Sequence, residues 1–73
     1  KMYPNPAKDL LNIGTNNTTI ETISFIDITG KMVVSYTVNS LQSEINIANL
    51  NKGMYTVLIQ TSNGSVFQKL MVE

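Results

Sequence analysis

Acidic side chains are the groups here best suited to moving a proton, and Asp9, Glu21, Asp27 and Glu44 are the candidates for an acid pair. Carboxylate-driven hydrolysis needs two such groups flanking one scissile bond at a set separation. Their spacing suggests no such pairing, and Asp27 has a local role in a turn. There is no His and no Cys. Imidazole bases, thiolate nucleophiles, disulfides and thiolate metal sites are therefore excluded. A Ca²⁺ site needs several oxygen ligands, and the acids form no dense cluster. The expectation is a chain that is not an enzyme and carries no cofactor or metal. Asn16-Asn17-Thr18, Asn17-Thr18-Thr19 and Asn63-Gly64-Ser65 fit the glycosylation acceptor pattern, as chance provides in a chain this rich in Asn and Thr. Tyr3, Phe25, Tyr36, Tyr55 and Phe67 would form a sugar-stacking platform if several were exposed on one face. Tyr36 and Tyr55 fall at core-facing strand positions, which favours core aromatics whose hydroxyls reach the rim. A carbohydrate-binding or adhesive module is the alternative function.

The surface chemistry points the same way. The 73 residues carry five Lys and five acids, for a formal charge of zero. The lysines are scattered and Arg is absent, unlike the clustered charge of a nucleic-acid surface. Charged residues make up 14%, well below the roughly one in four of ordinary globular domains. Asn, Thr and Ser replace them, while Ile and Val together number fourteen and Ala only two. This composition favours strands over helices and resembles that of an extracellular β-domain. No apolar run reaches the ~18 residues of a membrane helix. The size fits one domain, spanning residues 1–73. Beginning at a strand-like residue, the chain reads as a part excised from a larger secreted protein.

The elements that must position these residues centre on Ile23 to Val38. Apolar, β-branched runs flank Asp27-Ile28-Thr29-Gly30. Asp suits the first position of a type I turn, and Gly30 can take the left-handed conformation that closes it with a bulge. The expectation is a β-hairpin whose first strand is Ile20 to Ile28. In that strand Ile23 and Phe25 take one face and Ile20, Ser24, Ile26 and Ile28 the other, unless a bulge shifts the phase. In the second strand Met32, Val34, Tyr36 and Val38 alternate toward the core.

Around this hairpin the other strands fall in order. Met2-Tyr3 reads as an edge strand and Pro4-Asn5-Pro6-Ala7 as a rigid turn. Asp9 to Ile13 is a strand with Leu11 and Ile13 on one face. Gly14 to Thr19 and Asn39 to Ser43 read as loops. Ile45 and Ile47 point inward from a short strand. Leu50 tucks beneath a connection in which Gly53 supplies a permissive backbone position. Met54 to Gln60 is the strongest strand, with Tyr55, Val57 and Ile59 on one face. An Asn63-Gly64 turn leads to the last strand, where Val66, Leu70 and Val72 share a face. Six or seven short strands without helical periodicity predict an all-β, immunoglobulin-like β-sandwich of two antiparallel sheets, with a Greek-key barrel second.

Several pieces then line up in order: Tyr3-Pro4-Asn5-Pro6-Ala7, Leu10-Leu11-Asn12-Ile13, Asp27-Ile28-Thr29-Gly30-Lys31, Ile45-Asn46-Ile47, Leu50-Asn51-Lys52-Gly53-Met54-Tyr55, and a terminal strand ending in Val72. Together they resemble the C-terminal sorting domain, type A, of the type IX secretion system of Bacteroidetes. The resemblance covers essentially the whole chain. Pro4, Asn5, Pro6, Asp27, Gly30, Lys31, Gly53 and Tyr55 match the family pattern, and physically most of them fix turns. The ending Met71-Val72-Glu73 departs from the basic residues common in the family.

The resemblance implies a secretion signal on an upstream cargo, exported through the periplasm to the cell surface or medium. Its partners would be the type IX translocon, a sortase that removes the domain, and the covalently linked cargo. Recognition would fall toward the last strands, through Met54, Val57, Ile59, Val66, Leu70 and Val72.

Overall fold

The computed structural model describes residues 1–73. Every regular element is a strand: β1 (Met2–Tyr3), β2 (Leu10–Gly14), β3 (Ile20–Ile26), β4 (Met32–Ser40), β5 (Gln42–Asn46), β6 (Gly53–Thr61) and β7 (Gly64–Val72). They form a three-stranded sheet ordered β1-β2-β5 and a four-stranded sheet ordered β4-β3-β6-β7. Each named strand pair is antiparallel. The chain moves between sheets after β2, β4 and β5, so this is the immunoglobulin-like sandwich expected.

The core lies between the sheets. Leu11, Ile13 and Ile45 come from one sheet and Ile20, Ile23, Phe25, Tyr55, Val57, Ile59, Leu70 and Val72 from the other, with Ala7 and Ile47 closing it. Period-2 alternation accounts for most of these positions. Leu50 packs against the core beneath its connection, as expected. In β3 strict alternation fails. Ile20 and Ile23 are both fully buried because the register slips by one residue around Glu21 against β6. A bulge turns the polar Glu21 out and lets odd and even positions share the core.

Other expectations need correction. Ile28 is not in a strand: β3 ends at Ile26, and Ile28 sits in the turn, 84% exposed. Met32 does not face the core. A second register shift sets Met32 opposite Ile26 rather than in the row of Val34, so it is exposed. Tyr36 lies on the core side of β4 but stays partly exposed, because β4 is an edge strand. Its ring meets Phe25 edge to face at 6.3 Å. Asn39 to Ser43 is not a loop. β4 runs to Ser40 and β5 starts at Gln42, so the chain changes sheets at the single residue Leu41. Asn39, at φ 52°, helps turn it. Val66 shares the face of Leu70 and Val72 but is 47% exposed.

Candidate functional site

The residues that carry the resemblance are far apart in sequence and gather at one end of the sandwich. Asp27 opens the β3–β4 turn there. Gly30 N donates to Asp27 O at 3.0 Å, Asp27 N donates to Lys31 O at 2.9 Å, and Gly30 has φ 87°. This is a type I turn closed by a glycine bulge. The Asp27 carboxylate caps the turn from outside, accepting from Thr29 Oγ1 at 2.6 Å, Thr29 N at 2.9 Å and Lys31 N at 3.1 Å through Oδ1. These bonds, the Thr29 hydroxyl foremost and then the Lys31 N–H, hold the Asp27 carboxyl below its ordinary pKa. Asp27 is thus fully engaged by its own turn and makes a poor proton shuttle.

Beside it runs the β5–β6 connection. Tyr55 is buried, yet its hydroxyl donates to Asn51 O at 2.6 Å. A tyrosine near the start of the sixth strand, bonded back to the backbone a few residues upstream, is the tyrosine corner of immunoglobulin-like domains. Gly53, at φ 143°, turns the chain so that Tyr55 can reach back. The Leu-x-x-Gly-x-Tyr pattern is therefore a folding device. Asp27, Gly30, Met54 and Tyr55 line a shallow groove of about 420 Å³, which extends over Ile26, Ile28, Thr56, Phe67 and Lys69.

Pro4-Asn5-Pro6-Ala7 does more than turn the chain. The Tyr3–Pro4 and Asn5–Pro6 peptide bonds are cis. The segment crosses from the three-stranded sheet to the outer edge of β7 and seals its C-terminal half. Asn5 Nδ2 donates to Lys69 O at 2.9 Å, and Met71 N donates to Asn5 Oδ1 at 3.1 Å. Ala7 N donates to Met71 O at 2.8 Å, and Glu73 N donates to Ala7 O at 2.7 Å, with Ala7 and Val72 bridged in parallel. The Asn5 amide thus acts as one rung of a ladder that the Ala7 backbone continues. Sequence reasoning assigns Asn5 to a turn and misses this clamp. The signal is an amide flanked by prolines, which free its backbone from regular pairing and leave the side chain to do it.

The expected recognition residues divide by burial. Val57, Ile59, Leu70 and Val72 are in the core and shape the β6–β7 hairpin from within. Met54 and Val66 are exposed, as are their neighbours Phe67 and Met71. No aromatic platform forms, against the carbohydrate-binding alternative. Phe25 and Tyr55 are buried, Tyr3 lies beside Asn12 and Glu44 of the three-stranded sheet, and Phe67 stands on the four-stranded sheet. What the surface offers is backbone edge and apolar side chains, the chemistry of protein–protein recognition.

The fold is a small immunoglobulin-like β-sandwich with no catalytic constellation among its described side chains. The family model described as a secretion system C-terminal sorting domain matches residues 1–73. The chain belongs to this family, the sorting signals of type IX secretion, so it is a secretion signal rather than a catalytic domain. Such a signal marks its carrier for export to the cell surface or the medium. A curated relative, the ulvan lyase NLR42 of Nonlabens ulvanivorans, is 26% identical over 72 residues. The match spans 97% of this chain and 14% of that protein.

Proposed function

We propose that residues 1–73 form the single sorting domain of a larger exported protein, read by the type IX translocon as a folded β-surface and not as a linear tag. One observation carries this reading: the first and last segments of the family match are bonded to each other. Asn5 and Ala7 hold the backbone of Lys69, Met71 and Glu73, so the two ends of the chain form one surface. The outer face of the β6–β7 hairpin, with exposed Met54, Phe67 and Met71, is the recognition face, and Val66 adds an exposed group from the inner face at the open edge of β7. Val57, Ile59, Leu70 and Val72 keep that face flat from beneath. After passage a sortase removes the domain, and the cargo is attached to the surface or released. Attachment of this domain to an enzyme such as a lyase would fit the named relative.

The test fuses a periplasmically targeted fluorescent protein ahead of Lys1 to Glu73, with a short native linker, in a type IX-secreting Bacteroidetes host. Fluorescence at the surface or in the medium, lost when the secretion machinery is disabled, is the expected result. A folded fusion retained in the periplasm would overturn the reading. Asn5→Ala separates surface from tag: a linear tag at the C-terminus would be indifferent to it, whereas the folded surface loses its seal.

A further inference from the structure

The outer edge of β7 is covered only halfway. Lys69 O, Met71 N, Met71 O and Glu73 N all point outward to Asn5 and Ala7. Strand alternation then directs the N–H and C=O of Ser65 and Phe67, and the N–H of Lys69, outward as well. Neither Asn5 nor Ala7 reaches these groups. The same boundary shows in the side chains. On the inner face Leu70 is 0% exposed but Val66 is 47% exposed, and on the outer face Phe67 is 65% exposed. Apolar groups thus stand uncovered on both faces where the strap stops.

The other edge of that sheet is built differently. β4 carries register shifts against β3 and bends into β5 at Leu41, the usual ways to blunt an edge. β7 keeps an unbroken register with β6 from Gly53↔Val72 to Thr61↔Gly64. From Ser62 to Gln68 it has no proline and no charge. A straight, uncharged, half-covered edge is a template for one more strand.

We infer that the open half of β7, Gly64 to Lys69, receives a short extended peptide segment from a protein partner by strand addition, continuing the ladder that Asn5 and Ala7 begin. The occupant is apolar at the positions beside Val66 and Phe67, and carries a carboxylate beside Lys69, the one charge on this open half. A second copy of the chain fits poorly. An antiparallel copy centred on Phe67 would bring its Asn63 onto Met71, where Asn5 and Ala7 are already bound. The strap therefore measures the site: it fixes the inserted segment to the span between the hairpin tip and Asn5. This inference rests on the sorting reading and names the contact through which the signal is read.

Phe67→Pro and Ser65→Pro test it in the reporter fusion described above. Each removes an outward N–H while leaving the ladder to β6 intact, a position where an edge strand tolerates proline. Ser65→Pro also serves if Phe67→Pro fails to fold, which the melting transition reports. Losing a ladder hydrogen bond lowers export several-fold in Ser65→Pro, and losing the cover of the ring as well lowers it about tenfold or more in Phe67→Pro. Wild-type export matched by both folded variants would overturn strand addition and leave the sorting reading standing. Loss with Phe67→Pro alone would overturn it in favour of a side-chain patch. A wild-type dimer in sedimentation, made monomeric by Phe67→Pro, would overturn it in favour of self-pairing. A wild-type fusion that is not exported would remove the sorting reading and the inference together.

Discussion

The two ends of the sandwich close over β7 differently. At one end lie the strap at Asn5, the turn at Asp27 and Gly30, the corner at Gly53 and Tyr55, and the C-terminal half of β7. Each brings together residues distant in sequence or holds a backbone angle that few residues accept. At the other end Gly14 to Thr19, the Leu41 corner and the β6–β7 tip meet through Thr15 N to Leu41 O at 2.9 Å and Ser62 N to Thr19 O at 3.0 Å. Hydroxyls and special backbone angles support that end too: Thr15 Oγ1 donates to Thr18 O, Thr61 Oγ1 donates to Gly64 O at 2.7 Å, and Asn39 and Gly64 sit at φ 52° and 123°. Val66 near this end is half open, whereas Leu70 near the other is sealed. What differs along the sandwich is the cover over β7, sealed by Asn5 and Ala7 at one end and open at the other. A small domain with few charged residues cannot rely on core area alone, and at the strapped end directional bonds from Asn5 and Ala7 close the edge of β7.

Truncating matched positions on one face of β7 puts this asymmetry at greatest risk. Leu70→Ala is expected to cost about 2–5 kcal/mol, since the side chain is fully buried and leaves a cavity. Val66→Ala, on the same face, is expected to stay below about 1 kcal/mol because much of Val66 already meets water. Urea unfolding of both variants measures the pair. Equal losses would show that β7 is sealed along its whole length. Gly30→Val ranks next. A Cβ at Gly30 would meet nothing within 4 Å, so the cost is the backbone's alone at φ 87°. It should be about 1–2 kcal/mol, and a wild-type unfolding midpoint would rule out that role for the turn.

Asn5→Ala probes the strapped end more finely. It removes the donor to Lys69 O and the acceptor from Met71 N, both in exposed surroundings. The expected loss is about 1 kcal/mol, with faster amide exchange at Met71. Unchanged exchange there would mean that Ala7 alone holds the edge.

The same contrast explains what is legible in the sequence. Alternation in β6 and the terminal part of β7 identifies Tyr55, Val57, Ile59, Leu70 and Val72 as core, because those strands are regular. The Asp27 to Gly30 turn is legible because its chemistry is local: a carboxylate bonds residues two and four positions on. Met32 is misplaced by alternation because a bulge is set by the partner strand, and one sequence carries no sign of its partner's register. Leu41 reads as part of a loop, yet a corner needs only one residue when Asn39 accepts a left-handed angle. The Asn5 clamp is hidden for a deeper reason. Its acceptor and donor are backbone atoms more than sixty residues away, and a backbone group has no sequence signature. The open half of β7 is hidden likewise, since edges belong to topology.

Asp27 offers the smallest effect and the most selective one, because it acts at the strapped end through charge. Its folded-state pKa is depressed by the Thr29 hydroxyl first, then by the Lys31 N–H. A carboxyl whose pKa is lower folded than unfolded contributes stability at pH values above its unfolded pKa, near 4, and loses it as pH falls through the lower folded value. Wild type should therefore lose part of its stability on acidification below about pH 4, through this turn among its acids. Asp27→Asn keeps an Oδ1 acceptor for the same N–H groups but holds no charge to lose. Its unfolding midpoint should start slightly below wild type at neutral pH and converge with it in acid. Thr29→Val removes the strongest of the bonds and should shrink the gap while leaving the Lys31 contact. Parallel pH profiles for wild type and Asp27→Asn would show that the carboxylate's bonds exchange freely with water, and that the turn is held by Gly30 and its backbone pair alone.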